Sequence, residues 1–283
     1  MRVRRIKKAI IISALIFLLL PTIFCIALTF KIKVLEKEII AIRQETAIFA
    51  ESINNLYWKQ ETELKHEEET KLREEETMKK VYLTFDDGPG PNTEKILDIL
   101  RGYDVKATFF VTGMNSPKYD NCYLRILEEG HTLGIHSFSH DYSDIYVSLD
   151  SFKQDWLKMQ QHIENLTGEK VTISRFPGGS SNTVSNTNME EMISWLKEQG
   201  VVYYDWNVSA EDAGSKILTP EEIATNCIEG IKNYKQPIVL LHDASGKTST
   251  IEALPLIIEG IRKLEDTVLL PIDEDTVPIQ HKK

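Results

Sequence analysis

Three regimes of apolar and polar spacing succeed one another along the chain. Positions 9–30 are 22 residues without a single charge, mostly Ile, Leu, Ala and Phe. At about 1.5 Å of rise per residue, such a run crosses the roughly 30 Å hydrocarbon core of a bilayer as one helix. Next, Ile32, Leu35, Ile39, Ile42, Thr46, Phe49, Ile53 and Leu56 recur in steps of three and four. That is an a/d seam over about four heptads, with Thr46 as its one polar member. Neither Pro nor Gly occurs in 31–80. Beyond Leu56 the seam gives way to a charge-rich run, 61–80, which suits a solvated helix or an extended spacer. The seam reads either as one amphipathic helix lying on a bilayer or as a stalk pairing in parallel with a second copy. Its regular spacing favours the stalk, with a homodimer through residues 32–59.

The period changes at Val81. Short β-rich runs at 81–85, 105–111, 132–135, 171–176, 201–208, 237–241 and 267–271 predict strands. Amphipathic stretches near 93–101, 119–129, 149–166, 187–199, 220–234 and 251–264 predict the helices between them. Thr219-Pro220-Glu221-Glu222 is a capping box with proline at the first helical position, so that helix start is well marked. Alternation of this kind over about 200 residues predicts an α/β domain on a parallel sheet, and a barrel or a doubly wound sheet both fit.

Charge then orients the chain. The first eight residues hold five basic side chains and no acidic one, so the positive-inside rule places 1–8 in the cytoplasm as a basic tail. The organisation that follows is a transmembrane signal anchor at 9–30, a helical stalk at 31–80, and a domain at 81–283 on the extracytoplasmic side of the cell membrane. A cleavable signal peptide competes with the anchor, but the apolar run is long for one and no small-x-small site follows it. The formal net charge of −10, from 33 basic and 43 acidic residues, argues against a nucleic-acid partner. Three cysteines, Cys25, Cys122 and Cys227, without a CxxC spacing exclude a disulfide scaffold and a cysteine-zinc module.

Candidate chemistry gathers at the predicted strand ends, where α/β domains carry their sites. The first strand runs out into Thr84-Phe85-Asp86-Asp87-Gly88-Pro89. Asp-Asp-Gly-Pro on its own is a common turn, yet two adjacent carboxylates on an apolar strand are costly to bury unless charge-paired or metal-bound. The third strand leads into His136-Ser137-Phe138-Ser139-His140, and on a helical turn this i, i+4 pair would share one face and could chelate one ion. With a strand-end Asp it makes a His-His-Asp site with open positions, the pattern of a catalytic metal. Ser174-Arg175-Phe176-Pro177-Gly178-Gly179 offers an Arg to pair a carboxylate and a Gly-Gly turn with exposed N–H groups. The remaining strand ends give Asp205-Trp206-Asn207-Val208 followed by Glu211-Asp212, and Leu240-Leu241-His242-Asp243.

With these motifs the sequence resembles the polysaccharide deacetylases, carbohydrate esterase family 4, over about 81–271. The resemblance rests on TFDDGP at 84–89, HSFSH at 136–140, RFPGG at 175–179 and LLH at 240–242. It implies a distorted (β/α)7 barrel and a metal-dependent hydrolysis of N-acetyl groups from a polysaccharide. It further implies that Asp86 is the general base, that Asp87, His136 and His140 hold one divalent ion, and that Arg175 keeps the base ionised and oriented. His242 becomes the general acid and Leu240 a pocket-lining residue. Asp212 matches the aspartate that tunes the charged partners, with Asp205 as runner-up. Zn2+ is the expected ion, and Co2+, Ni2+ or Mn2+ suit the same donors. Two positions depart from the family pattern: Gly178 stands where Tyr or Phe is frequent, and Ala213 follows Asp212 where Trp is usual, with Trp206 expected to supply the missing surface. The N–H groups near Gly178 and Gly179 remain available for an oxyanion.

Other residues read as structural: His131 as a buried or outer group, His66, His162 and His281 as surface, and Tyr82, Phe109 and Trp195 as core. Asn165-Leu166-Thr167 matches the glycosylation acceptor pattern, which is common by chance. The expected substrate is an N-acetylated glycan, most directly peptidoglycan N-acetylglucosamine, because an outward domain on a stalk meets the wall first. Alternatives are another acetylated polymer (poly-N-acetylglucosamine, chitin-like oligomers, xylan) or a catalytically silent glycan-binding module. A binding module would need neither Asp86 as base nor His242 as acid.

Overall fold

The computed structural model describes residues 2–113 and 117–282, in two compact units, Met1–Glu74 and Glu75–Lys283. The first unit is part of a single helix, α1 (Arg2–Thr77), which carries Pro21 inside its apolar run. Among the described residues it is the one helix long and apolar enough to cross a membrane. Ile32, Leu35, Ile39, Ile42, Phe49, Ile53 and Leu56 all lie exposed along it.

The second unit is built on a parallel sheet whose strands alternate with helices. The strands are β1 (Lys79–Asp86), β2 (Thr108–Thr112), β3 (Thr132–Ser137), β4 (Ile173–Ser174), β5 (Val202–Tyr203), β6 (Val208–Ser209), β7 (Ile238–His242) and β8 (Thr267–Leu269). They run in the order β5-β4-β3-β2-β1-β7-β6, and β8 adds to the N-terminal half of β1. Helices α2 (Pro91–Gly102), α3 (Asn121–Glu128), α5 (Leu149–Thr167), α6 (Met189–Glu198), α7 (Pro220–Lys232) and α8 (Thr248–Arg262) separate them, with the four-residue α4 (Tyr142–Ile145) inserted after β3. The expected box opens α7: Thr219 and Glu222 cap each other's backbone beside Pro220. Helix α5 runs from a Ser148 cap to Gly168, whose φ of 77° is the left-handed geometry that glycine takes readily.

The fold is the curled, distorted barrel expected of the family, with one correction to the strands. The run at 201–208 is not one strand but two, β5 and β6, on opposite edges of the sheet. Residues between them leave the ladder because their backbone groups bond elsewhere. The Asp205 N–H donates to the Ile279 carbonyl, while the Tyr204 and Asp205 carbonyls accept from Arg175. No β5–β6 pairing occurs among the described residues. The C-terminal segment covers the seam instead, with Gln280 Nε2 on the Tyr203 carbonyl and Gln236 Nε2 on the Val277 carbonyl.

Strand alternation sets the core. Val81, Leu83 and Phe85 join the large cluster that packs the helices on the sheet. Tyr82, in the intervening phase, belongs to a separate small cluster with Phe110, Tyr204, Ile238 and Ile272. A period of two therefore sends Tyr82, Thr84 and Asp86 to the barrel interior. Tyr82, Phe109 and Trp195 are core residues as expected.

Candidate active site

Asp86 is the last inward residue of β1, and its register partner on β7 is His242. The two candidates for base and acid thus stand on adjacent strands at one mouth of the barrel. Arg175, just past β4, fills the interior behind Asp86 and is fully buried. Its Nη1 donates to Asp86 Oδ1 at 2.9 Å and to Thr84 Oγ1 at 2.7 Å. Nε and Nη2 donate to the Tyr204 and Asp205 carbonyls at 2.9 and 3.0 Å, and the guanidinium lies 4.2 Å from the Phe110 ring centroid. A buried cation so well bonded fixes the carboxylate in position and orientation.

Asp87 turns away from the strand with φ of 79°, a conformation rare outside glycine. Thr112 and Asp243 hold it. The carbonyls of Asp87 and Gly88 accept from Thr112 Oγ1 at 3.0 and 3.1 Å, and the Gly88 N–H donates to Asp243 Oδ1 at 2.7 Å. Asp243 is itself buried and also accepts from Thr93 Oγ1 at 2.5 Å. Burial pushes the Asp243 carboxyl up to about 7, against its hydrogen bonds. Any side chain at Gly88 would collide with that carboxyl. The strained turn presents Asp87 Oδ1 to His140 Nε2 at 3.0 Å and to His136 Nε2 at 3.4 Å. Burial opposes ionisation of Asp87, yet hydrogen bonds and charge from the two histidines outweigh it and hold the carboxyl well below its usual range. The bond to Asp87 raises His140.

The histidine pair is not on a helical turn, as its i, i+4 spacing suggested. His136 sits in β3, and His140 follows the strand with φ of 53°. Asp155 on α5 folds the turn between them: Oδ2 accepts from Ser137 Oγ and the Phe138 N–H, and Oδ1 from the Ser139 N–H, at 2.7–2.8 Å. His136 Nδ1 lies 2.8 Å from the Arg175 carbonyl. A carbonyl only accepts, so Nδ1 carries a proton, and Nε2 is the ring nitrogen that would face a metal ion beside Asp87. One donor atom from each of Asp87, His136 and His140 lies within 4.8 Å of the others. Two imidazoles and a carboxylate converging in this way fit a divalent transition-metal ion.

His242 is oriented by Asp212. Asp212 Oδ1 lies 2.8 Å from His242 Nδ1, while Oδ2 accepts from the His242 N–H at 2.9 Å and from Thr250 Oγ1 at 2.8 Å. Burial would lower the imidazole pKa, but the Asp212 bond and the charges of Asp212, Asp86 and Asp87 raise it to about 9. A charged imidazole is thus kept through neutral pH, with its other nitrogen free of Asp212.

At the third motif, Phe176-Pro177-Gly178-Gly179 is a tight turn closed by the Gly179 N–H on the Phe176 carbonyl at 2.8 Å. Proline followed by glycine with φ of 74° is the chemistry such a turn requires. The Gly179 N–H is therefore engaged within the turn, which leaves the Gly178 N–H as the candidate of the pair for meeting an oxyanion. A side chain at Gly179 would meet the Trp206 ring at 3.0 Å, which places Trp206 beside this turn. Leu240, on β7, is buried two residues before His242.

Asp205 does not reach His242. It is sealed behind the same turn, accepting from the Ser180 N–H, Ser180 Oγ and the His281 N–H. His281 is exposed, as expected, and its Nε2 lies 2.6 Å from the Trp206 carbonyl. The structure thus brings together Asp86, Asp87, His136, His140, Arg175, Asp212 and His242, with Gly178, Gly179, Trp206 and Leu240 around them. Sequence reasoning missed Asp155, Thr250 and Tyr142, and gave Asp243 no role. Adjacency to HSFSH and LLH was the available signal for Tyr142 and Asp243.

Residues 73–193 match the family model described as polysaccharide deacetylase. The chain is similar to the catalytic domain of a peptidoglycan N-acetylglucosamine deacetylase from Eubacterium rectale, with 39% identity and a TM-score of 0.68, covering 72% of this chain and 93% of that one. A CE4 esterase of Streptococcus mutans gives 36% identity and a TM-score of 0.60, covering 69% and 86%. A peptidoglycan-N-acetylglucosamine deacetylase of Bacillus cereus is 29% identical over 191 residues, 65% of this chain and 66% of that one. With likeness of this depth over nearly the whole second unit, the chain belongs to the polysaccharide deacetylase family of carbohydrate esterases.

Proposed function

We propose that the protein removes acetyl groups from the N-acetylglucosamine units of peptidoglycan, releasing acetate. One observation carries the reading. A carboxylate fixed by a buried Arg and an imidazole held charged by a carboxylate stand on adjacent strands beside a His-His-Asp cluster. Relatives named as peptidoglycan N-acetylglucosamine deacetylases support the substrate. A divalent ion held by Asp87, His136 and His140, of which Zn2+ best suits the donors, would polarise the acetamide carbonyl and acidify water. Asp86 accepts a proton from the attacking water, and Arg175 keeps Asp86 from turning away. The Gly178 N–H faces the carbonyl oxygen as it gains charge. His242 passes its proton to the nitrogen as the C–N bond breaks, so acetate and a free amine leave. Trp206 and Leu240 line the groove for the sugar.

The same proposal places 1–8 in the cytoplasm, 9–30 in the cell membrane, 31–80 as a spacer and 81–283 outside, facing the wall. The exposed seam from Ile32 to Leu56 supports parallel pairing of two stalks through 32–59. The test is acetate release from fully N-acetylated peptidoglycan by the full chain in detergent micelles. We expect acetate from the zinc-loaded protein, loss on chelation and recovery on adding Zn2+. Acetate from N-acetylglucosamine oligomers but none from peptidoglycan would move the substrate to another polymer. Glycan binding without acetate from metal-loaded protein would leave a silent binding module.

A further inference from the structure

We propose that Tyr142 is the aromatic wall of the substrate groove, packing its ring against the N-acetylated sugar whose acetamide meets the His-His-Asp cluster. This rests on the deacetylase reading of the site. Tyr142 begins α4 two residues after His140. Its ring meets the His140 ring edge-on at 5.6 Å and 88°, and it is 36% exposed. Of the other aromatic residues of this region, Tyr146 and Phe176 are sealed in the core, and Trp206 is half-buried beside Gly179 rather than against the metal-site histidines. An exposed aromatic ring against a metal-site imidazole is placed to touch whatever approaches that site.

Gly178 ties the ring to the chemistry. A Cβ at 178 would lie 3.2 Å from both Cε1 and Oη of Tyr142. The tyrosine therefore occupies the space beside the turn that a side chain at 178 would take, and the bare glycine is what admits it. The aromatic surface that RFPGG lacks at its own fourth position arrives from another element, next to the free Gly178 N–H. The arrangement is braced from below: Tyr146 stacks edge-on against Tyr142 at 5.8 Å, and its hydroxyl donates to the Pro177 carbonyl at 2.8 Å. Asp141 caps α4 through the Ser143 N–H at 2.9 Å. Ring and turn are thus held by the same few contacts, as preorganised binding surfaces require.

A ring that binds the sugar contributes equally before and during reaction, so its loss raises KM and leaves kcat in place. A ring that merely props His140 would instead lower metal content and kcat. The experiment measures acetate release by the full chain across concentrations of N-acetylglucosamine tetramer, with zinc content by elemental analysis, for wild type, Tyr142→Ala and Tyr142→Phe. Expected for Tyr142→Ala is a KM about tenfold higher, the scale of one good apolar contact, with kcat and one zinc per chain retained. Tyr142→Phe should stay within about threefold of wild-type KM. An unchanged KM in Tyr142→Ala overturns the proposal, and so does a joint loss of zinc and kcat. Should wild type release no acetate, the deacetylase reading falls separately, and calorimetric Kd for the same tetramer decides this one. About tenfold weaker binding by Tyr142→Ala upholds the wall, while equal binding, or none by wild type, overturns it.

Discussion

Strand β3 has a histidine at each end, and the two have opposite fates. His131, just before the strand, and His136, within it, are 4% and 5% exposed. His131 Nδ1 accepts the Ala107 N–H at 3.1 Å, and its ring meets the edge of Phe109. Burial, then the charge of Lys106, hold its pKa down to about 4, so the ring stays neutral. His136 turns its Nδ1 to a carbonyl and its Nε2 to two carboxylates, 3.4 Å from Asp87 Oδ1 and 3.9 Å from Asp86 Oδ2. Burial is equal, so burial does not mark the functional residue. The neighbours do: a backbone donor makes Nδ1 the acceptor in His131, and a backbone acceptor makes Nδ1 the donor in His136, whose Nε2 then faces the carboxylates.

Replacing each histidine in turn puts the comparison at greatest risk. His136→Ala removes one of three donors and should leave no zinc on the desalted protein, with acetate release down by about 10³-fold or more. His131→Ala should keep one zinc per chain and wild-type turnover, while costing about 1–3 kcal/mol in chemical denaturation, the range for a buried substitution. Loss of zinc from the His131 variant would mean that the two ends of β3 are not separable.

A smaller effect tests whether carboxylates set the state of the imidazoles at the mouth. Asp212 favours the charged form of His242 and raises its pKa to about 9. Removing that charge must lower the pKa toward the ordinary value of about 6.5. Asp212→Asn should then move the alkaline limb of kcat/KM downward from near pH 9. At pH 8 the protonated fraction falls about 30-fold if the shift is complete. An alkaline limb that stays in place would show that His242 is not the acid being titrated.

The difference between the two ends also explains what could be read in advance. Asp86, Asp87, His136, His140 and His242 are legible because each lies at or just beyond a strand end, within a short local motif. The residues that hold them are not. Asp155 folds the HSFSH turn from 16 to 18 positions downstream. Asp243 clamps Gly88 across 155 residues. The run at 201–208 has the composition of one strand, and only tertiary hydrogen bonds to Arg175 and Ile279 pull its middle out of the sheet. A helical spacing of histidines was equally compatible with a strand followed by a turn. Local pattern thus announces the candidate groups, and distant partners decide their geometry.

The smallest expected effect comes from the quiet end of β3 and appears in stability alone. His131 is neutral in the fold, with a pKa of about 4, against about 6.5 in an unfolded chain. A depressed histidine stabilises the fold fully above the unfolded pKa, and that stability is lost as pH falls toward 4, because the unfolded state binds the proton first. Between pH 8 and 5.5 the loss from this one group is about 1.4 kcal/mol. His131→Phe removes the proton-binding group and keeps an aromatic ring beside Phe109, so the variant's unfolding free energy should fall less steeply by that amount over the same interval. Chemical denaturation of zinc-loaded wild type and variant at both pH values measures the difference. The mouth histidines contribute equally to both proteins and cancel. Identical slopes would mean that His131 gains a proton in the fold as readily as outside it, and the contrast between the ends of β3 would then rest on the roles of Nδ1 alone.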